Sequence, residues 1–275
     1  MSGARALDLP IVVEPEALEA VLGDDALLIV DLCNPQTSAS AQVPGAIAME
    51  YASIIASRPP VGGLLPDAAA LARVMSSLGL TPERHVVAYD DEGGGKAGRL
   101  VWTLHMLGHR GVSMLNGGIH AWANEGHPIA EATAVAAASE YGARIVGDAA
   151  ADKDYILARL DNADVVLVDT RTPEEYHGVN VRAERGGHIP GAINFNWVEA
   201  IDQARNLRIK PEDALRSQLE SEGITPDREV IAYCQTHHRS SHTYVALKSL
   251  GYERVKGYPG AWSEWGNLPD TPVEK

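Results

Sequence analysis

The segment EVIAYCQTHHRS (229–240) concentrates the groups in this sequence that can do chemistry: a thiol, two adjacent imidazoles and a guanidinium, directly after a run of strand-forming residues. Helical spacing resumes from about Ser241 to Leu250. Cys234 therefore falls in a tight loop between a strand end and a helix start. Converging backbone N–H groups and the helix dipole stabilise an anion there and lower a thiol's pKa. Arg239, with His237 and His238 when protonated, adds positive potential to an otherwise acidic chain. The constellation suits a thiolate nucleophile, or a bound oxyanion beside it. Zinc held by Cys234, His237, His238 and His242 would need these side chains to converge, whereas adjacent histidines in a short loop diverge, so no metal is assigned. The other cysteine, Cys33 in LLIVDLCNP, has no basic neighbour and reads as a small buried hydrophobe.

The elements that must position this loop are legible from a repeat. LLIVDLCNP (27–35) aligns with VVLVDTRTP (165–173), and VPGAIAM (43–49) with IPGAINF (189–195). LGLTPERHVVAYDD (78–91) aligns with EGITPDREVIAYCQ (222–235), and the block from Leu107 to Trp122 with that from Leu250 to Trp265. Four blocks in one order, at offsets of 138 to 146, make a tandem duplication. The period is too long for a solenoid, so each copy is expected to be a complete domain, at 5–130 and 143–275, around a linker at 131–142. Strand-like runs at 11–13, 27–31, 86–89, 143–146, 165–169 and 229–233 alternate with helical stretches at 17–22, 69–79, 214–223 and 243–251. That alternation predicts an α/β fold, each copy a mainly parallel sheet with helices on both faces. Ligands in such sheets sit beyond the carboxyl ends of the strands, which points to the residues directly after VVAY and VIAY.

Copy one has Asp90 where copy two has Cys234, then Asp91, Glu92 and Gly93-Gly94-Gly95-Lys96. Three carboxylates repel an anion and no nucleophile replaces the thiol, so copy one is expected to be inactive and structural. Residues 93–98 match G-x-G-x-x-G, but the acidic crowd stands where a pyrophosphate would lie, and the repeat explains the segment better. A divalent cation on Asp90, Asp91 and Glu92 stays open beside a solvated acidic loop.

The 275 residues, 45% hydrophobic and 22% charged, exclude disorder and a disulfide scaffold. A formal charge of −14 disfavours nucleic acid and anionic membrane surfaces as partners, and no apolar run approaches a bilayer's thickness. Two cysteines, and an N-terminus without the apolar stretch of a signal peptide, predict a reduced, cytoplasmic protein. A monomer is expected of a two-domain chain with its own internal interface.

VDTRTPEEYHG (168–178), GHIPGAIN (187–194), a strand ending in Cys with a six-residue loop, and the ending GYPGAWSEWGN (257–267) together resemble the rhodanese family. Two tandem rhodanese-like domains with the cysteine only in the second are similar to the two-domain thiosulfate sulfurtransferases. The CQTHHR loop resembles the bacterial subgroup typified by the Azotobacter enzyme. The resemblance implies a sulfur-transfer cycle without cofactor or metal. Cys234 would take sulfur from a small donor such as thiosulfate and pass it, as a persulfide, to cyanide, another thiophile or a protein acceptor. The N–H groups of Gln235, Thr236, His237, His238 and Arg239 would stabilise thiolate and persulfide. The family's vertebrate pattern carries cations at two positions that are Glu175 and Thr236 here, which leaves Arg239 as the expected main anion contact, with His237 and His238 behind it. Asp169 and Arg171 read as a structural pair, Trp197 as core with a pocket wall as the alternative, Trp122, Trp262 and Trp265 as core, and Gly187, Pro190 and Gly191 as turn residues. A phosphatase loop usually runs C-x5-R, and the C-x4-R spacing from Cys234 to Arg239 makes a smaller cradle.

Overall fold

Two strands made almost wholly of buried residues organise each half of the chain. LLIVD pairs in parallel with HVVAY, Leu27 opposite His85 and Asp31 opposite Tyr89. VVLVD pairs with EVIAY in the same register, Val165 opposite Glu229 and Asp169 opposite Tyr233. The duplication extends to single hydrogen bonds: the Val43 N–H donates to the Tyr89 hydroxyl, and the Ile189 N–H to that of Tyr233. Strands apolar on both faces require cover on both faces, and the intervening helices supply it.

The computed structural model describes residues 7–130 and 134–275. Residues 5–6 of the expected first domain and 131–133 of the expected linker lie outside the described residues. The first half runs β1 (Val12–Val13), α1 (Pro15–Glu19), β2 (Leu27–Asp31), α2 (Pro35–Ser40), β3 (Ile47–Ala48), a hairpin of β4 (Ala56–Arg58) and β5 (Val61–Leu64), α3 (Ala68–Ser77), β6 (His85–Tyr89), α4 (Gly95–Met106), β7 (Val112–Leu115) and α5 (Gly118–Asn124). The second runs α6 (Lys153–Leu157), β8 (Val165–Asp169), α7 (Pro173–Tyr176), β9 (Ile193–Asn194), β10 (Ile201–Asp202), β11 (Arg208–Ile209), α8 (Glu212–Ser221), β12 (Glu229–Tyr233), α9 (Arg239–Ser249), β13 (Val255–Gly257) and α10 (Ala261–Trp265). Short 3-10 turns at Tyr51–Ile54 and Trp197–Ala200 precede β4 and β10. No helix among the described residues is long and apolar enough to cross a membrane.

The sheets have orders β1-β7-β6-β2-β3 and β13-β12-β8-β9, with parallel pairing throughout. Trp122 is buried in the first core, and Trp262 and Trp265 in the second. Helices α8 and α9 end before Gly223 and Gly251, whose φ of 83° and 82° suits the left-handed stop the sequence suggests.

The expected strand at 143–146 does not form. Ile145 and Val146 stay partly exposed, and the edge beside β13 is taken by a single parallel bridge from Ala150 to Gly257. Nor is 134–146 a free linker: Ser139 and Tyr141 bond Ser76, and the Val146 N–H bonds the Met106 carbonyl.

The division into units also differs from a linear cut. One unit comprises Met1–Ile54, Pro66–Val146 and Asp202–Ile209; the other comprises Ile55–Leu65, Gly147–Ile201 and Lys210–Lys275. In the first, Ile209 N–H donates to Asn116 Oδ1 at 2.8 Å, and Arg208 pairs with Glu14 and Glu125. In the second, the β4–β5 hairpin packs on α10, with Ser263 Oγ joined to both the N–H and the carbonyl of Gly62 at 3.1 Å.

Candidate active site

Cys234 comes directly after β12 and is 1% exposed. Its carbonyl accepts from Trp262 N–H at 2.9 Å, and that of Gln235 from Ser263 N–H at 3.0 Å, so α10 fixes the backbone on both sides of the thiol-bearing position. The chain reverses at His237, which has φ 54°, and α9 begins at Arg239. This folds the loop around Sγ. Burial pushes the thiol's pKa up, but the Arg239 guanidinium, the Ser240 N–H and hydroxyl, and the Thr236 N–H together outweigh it and hold the thiol below its ordinary value. N–H donors and a guanidinium at a helix start thus favour the anionic form of this buried thiol more than an ordinary cysteine's surroundings do.

The loop residues named from the sequence divide into distinct roles. Thr236 supplies an N–H to the sulfur, and Gln235 reaches the Arg182 carbonyl at 3.0 Å. His237 differs from its expected role as an anion contact: its ring is fully buried and Nδ1 lies 2.7 Å from Ser240 Oγ, so it faces the hydroxyl that serves the thiol. His238 is half-buried, 6.3 Å from the Trp197 ring, and His242 lies edge-on to the same ring at 5.4 Å. Trp197 is therefore a half-buried wall over the first turn of α9, in contrast to the core position expected of it. The four residues of the zinc alternative do not converge, since His237 turns to Ser240 and His242 packs on Trp197.

Arg239 departs furthest from expectation. Its guanidinium is held by both oxygens of Glu175, at 2.6 and 3.0 Å, while also touching Cys234. Burial alone raises the Glu175 carboxyl, but Arg239 and the Thr172 N–H draw its pKa below the ordinary value. A cation already matched by a buried carboxylate is a poor main contact for a dianion. It remains well placed to steady a thiolate. Arg239→Ala is accordingly expected to raise the thiol pKa by about one to two units, the equivalent of one charged hydrogen bond, with a smaller effect on donor KM. Arg239→Ala/Glu175→Ala should recover the stability lost to an unpaired carboxylate without restoring the thiol. The pH dependence of Cys234 alkylation, beside thermal unfolding of both variants, checks this.

Three residues have roles at the site that the sequence does not reveal. Ser240 lies six positions after Cys234 and is visible only as a polar residue at a helix start. Glu175 is detectable as the last member of the capping box Thr172–Glu175, but its pairing with a residue 64 positions away is not. Arg182, 57% exposed and 3.6 Å from Glu175, places a second cation beside that carboxylate. Asp169 and Arg171 form the buried structural pair expected, at 2.9 and 3.0 Å.

In the first unit the same cradle closes on itself. Asp90 is buried, and its carboxylate accepts from the N–H groups of Glu92, Gly94 and Ala97 at 3.1, 2.8 and 2.9 Å. Asp91 and Glu92 pair with Lys96, and the nearly buried Asp91 carboxylate also accepts from the Asn34 N–H. The N–H donors that serve a sulfur in one unit thus serve a fixed carboxylate in the other. Cys33 is half-buried; burial and then Asp31 push its thiol up, so it stays protonated.

A profile described as "Rhodanese-like domain" matches residues 14–125 and 152–268. The chain belongs to the rhodanese family. This rhodanese is 46% identical to the thiosulfate sulfurtransferase of Azotobacter vinelandii over 97% of both chains. It is 45% identical to that of Pseudomonas aeruginosa, over 97% of this chain and 98% of the relative. A sulfur carrier protein of Thermus thermophilus is 34% identical over 74% of this chain and 75% of its own. Among solved structures, the anaerobic ergothioneine biosynthesis enzyme of Chlorobium limicola aligns with TM-score 0.86 over 96% of this chain and 70% of its own; at 22% identity it shares the fold alone.

Proposed function

We propose that this rhodanese is a thiosulfate sulfurtransferase that works through a persulfide on Cys234. The observation that carries the reading is a buried cysteine at a strand end whose thiol pKa is held below its ordinary value by the Arg239 guanidinium, the Ser240 N–H and hydroxyl and the Thr236 N–H. The Cys234 thiolate attacks the outer sulfur of thiosulfate. A new S–S bond forms, the bond to the sulfonate sulfur breaks, and sulfite leaves with the electron pair. Cyanide or another thiophile then attacks the outer sulfur of the persulfide, and the thiolate leaves. Both steps conserve charge and need no cofactor. The cradle donors track the negative charge from Sγ to the outer sulfur and back. The cycle needs a reduced Cys234, in keeping with the cytoplasm.

A second reading is favoured by the likeness to the Thermus sulfur carrier protein. On that reading the persulfide serves a protein acceptor and small thiophiles drain it slowly. Intact mass before and after thiosulfate, then after cyanide, separates the two. One sulfur atom gained and promptly lost supports the enzyme; one gained and retained supports the carrier. A chain that gains no sulfur overturns both as thiosulfate-dependent functions.

A further inference from the structure

The β4–β5 hairpin is encoded in the first repeat of the sequence but packs in the second unit, against the loop that carries Cys234. Gly63 has φ 73°, and a Cβ placed on it would lie 2.0 Å from the Thr236 carbonyl oxygen, 2.6 Å from its carbon and 2.8 Å from its Cα. Only glycine permits such an approach of two backbones. Gly62 differs, since a Cβ there would meet side-chain ends alone, Thr236 Cγ2 at 3.4 Å and Ser57 Oγ at 4.0 Å, both ordinary contacts. The hairpin is clasped by Ser263 Oγ to Gly62, and Ser263 N–H in turn holds the Gln235 carbonyl. Hairpin and α10 therefore grip the backbone of 234–236 together. Thr236 N–H is one of the groups that hold the sulfur, and the chain reverses at the next residue.

We propose that Gly63 is a positioning residue for Cys234: the hairpin seats the active-site loop, and a side chain at position 63 would push Thr236 aside and turn its N–H away from Sγ. The inference rests on Cys234 being the nucleophile, and it gives a residue of the first repeat a part in the chemistry of the second.

The test measures Cys234 alkylation by iodoacetamide against pH in the full chain, with the modified peptide identified by mass. Gly63→Ala is expected to slow alkylation at pH 7 by up to about tenfold, the limit for a one-unit rise in thiol pKa, with the rate recovering at high pH. Gly62→Ala should leave the profile in place. So should Gly45→Ala, which carries the same left-handed strain (φ 80°) with nothing within 4 Å. Ser263→Ala, which loosens the clasp without adding atoms, should move the profile upward by less than Gly63→Ala. A folded Gly63→Ala with the wild-type profile overturns the proposal. If that variant does not fold, a Ser263→Ala profile identical to wild type overturns it instead. Alkylation involves no sulfur donor, so failure of the wild type to load sulfur would count against the proposed function and not against this positioning role.

Discussion

Cys234→Ser will fold and take up no sulfur from thiosulfate, with transfer reduced at least a thousandfold, the scale on which removal of a nucleophile acts. A serine hydroxyl fits the cradle, but at neutral pH it holds its proton, and the surrounding donors cannot make it a nucleophile toward sulfur. The fold should survive, because the strand, loop and helix are fixed by backbone bonds from Trp262 and Ser263 that the substitution leaves alone. Cys234→Ala leaves the Thr236 and Ser240 donors unmatched and is expected to cost about 1–3 kcal/mol. Cys234→Asp is the informative partner: it would recreate in the second unit the carboxylate-filled cradle of Asp90, dead in transfer yet at least as stable as the alanine variant. Mass-detected sulfur uptake and thermal unfolding of the three variants check this. Sulfur uptake on the serine variant, or transfer within about tenfold of wild type, would end the persulfide mechanism.

The second large effect lies in stability against pH. His242 is fully buried, neither ring nitrogen has a hydrogen-bond partner among the described residues, and burial, with the neighbouring His238 second, lowers its pKa to about 4. The folded protein thus resists protonating a group that the unfolded chain protonates near its ordinary value of 6.5. Between these limits the unfolded state binds more protons, so stability is complete above pH 6.5 and declines as pH falls toward 4. The loss is roughly 3 kcal/mol across the window. His242→Phe, which keeps a ring against Trp197, should flatten that decline. Glu175 acts lower: its pKa is depressed, so its contribution is present above the ordinary carboxylate range and is lost only as pH falls through the folded value. Urea unfolding at half-unit steps from pH 7 to 4 separates them. Parallel curves for wild type and His242→Phe would remove His242 as the source.

What the sequence makes legible is local, or repeated. The register of β2 with β6 and of β8 with β12 comes from apolar runs, each ending in a residue that recurs in both copies. Cys234 is identifiable because strand end, loop and helix start leave separate marks in one short stretch. The direction of each loop side chain is not. His237 turns inward because the backbone takes φ 54° there, a choice forced by closing the loop around Sγ and without a composition signal. Arg239 reads as a free cation until Glu175, 64 residues earlier, is brought beside it. The run at 143–146 is β-branched enough to suggest a strand, but a strand needs an edge to pair with, and Ala150 bridges that edge. Trp197 is misread as core for a related reason: its environment comes from α9, not from neighbours in the chain.

The segments at 55–65 and 202–209 occupy the same place in the two repeats, between a 3-10 turn and the next helix, and each belongs to the unit encoded mainly by the other repeat. In genetic terms, no single cut yields two self-sufficient fragments. A break at 146/147 leaves each product carrying a piece of its sibling's fold and lacking a piece of its own, so the halves should assemble only when both are present.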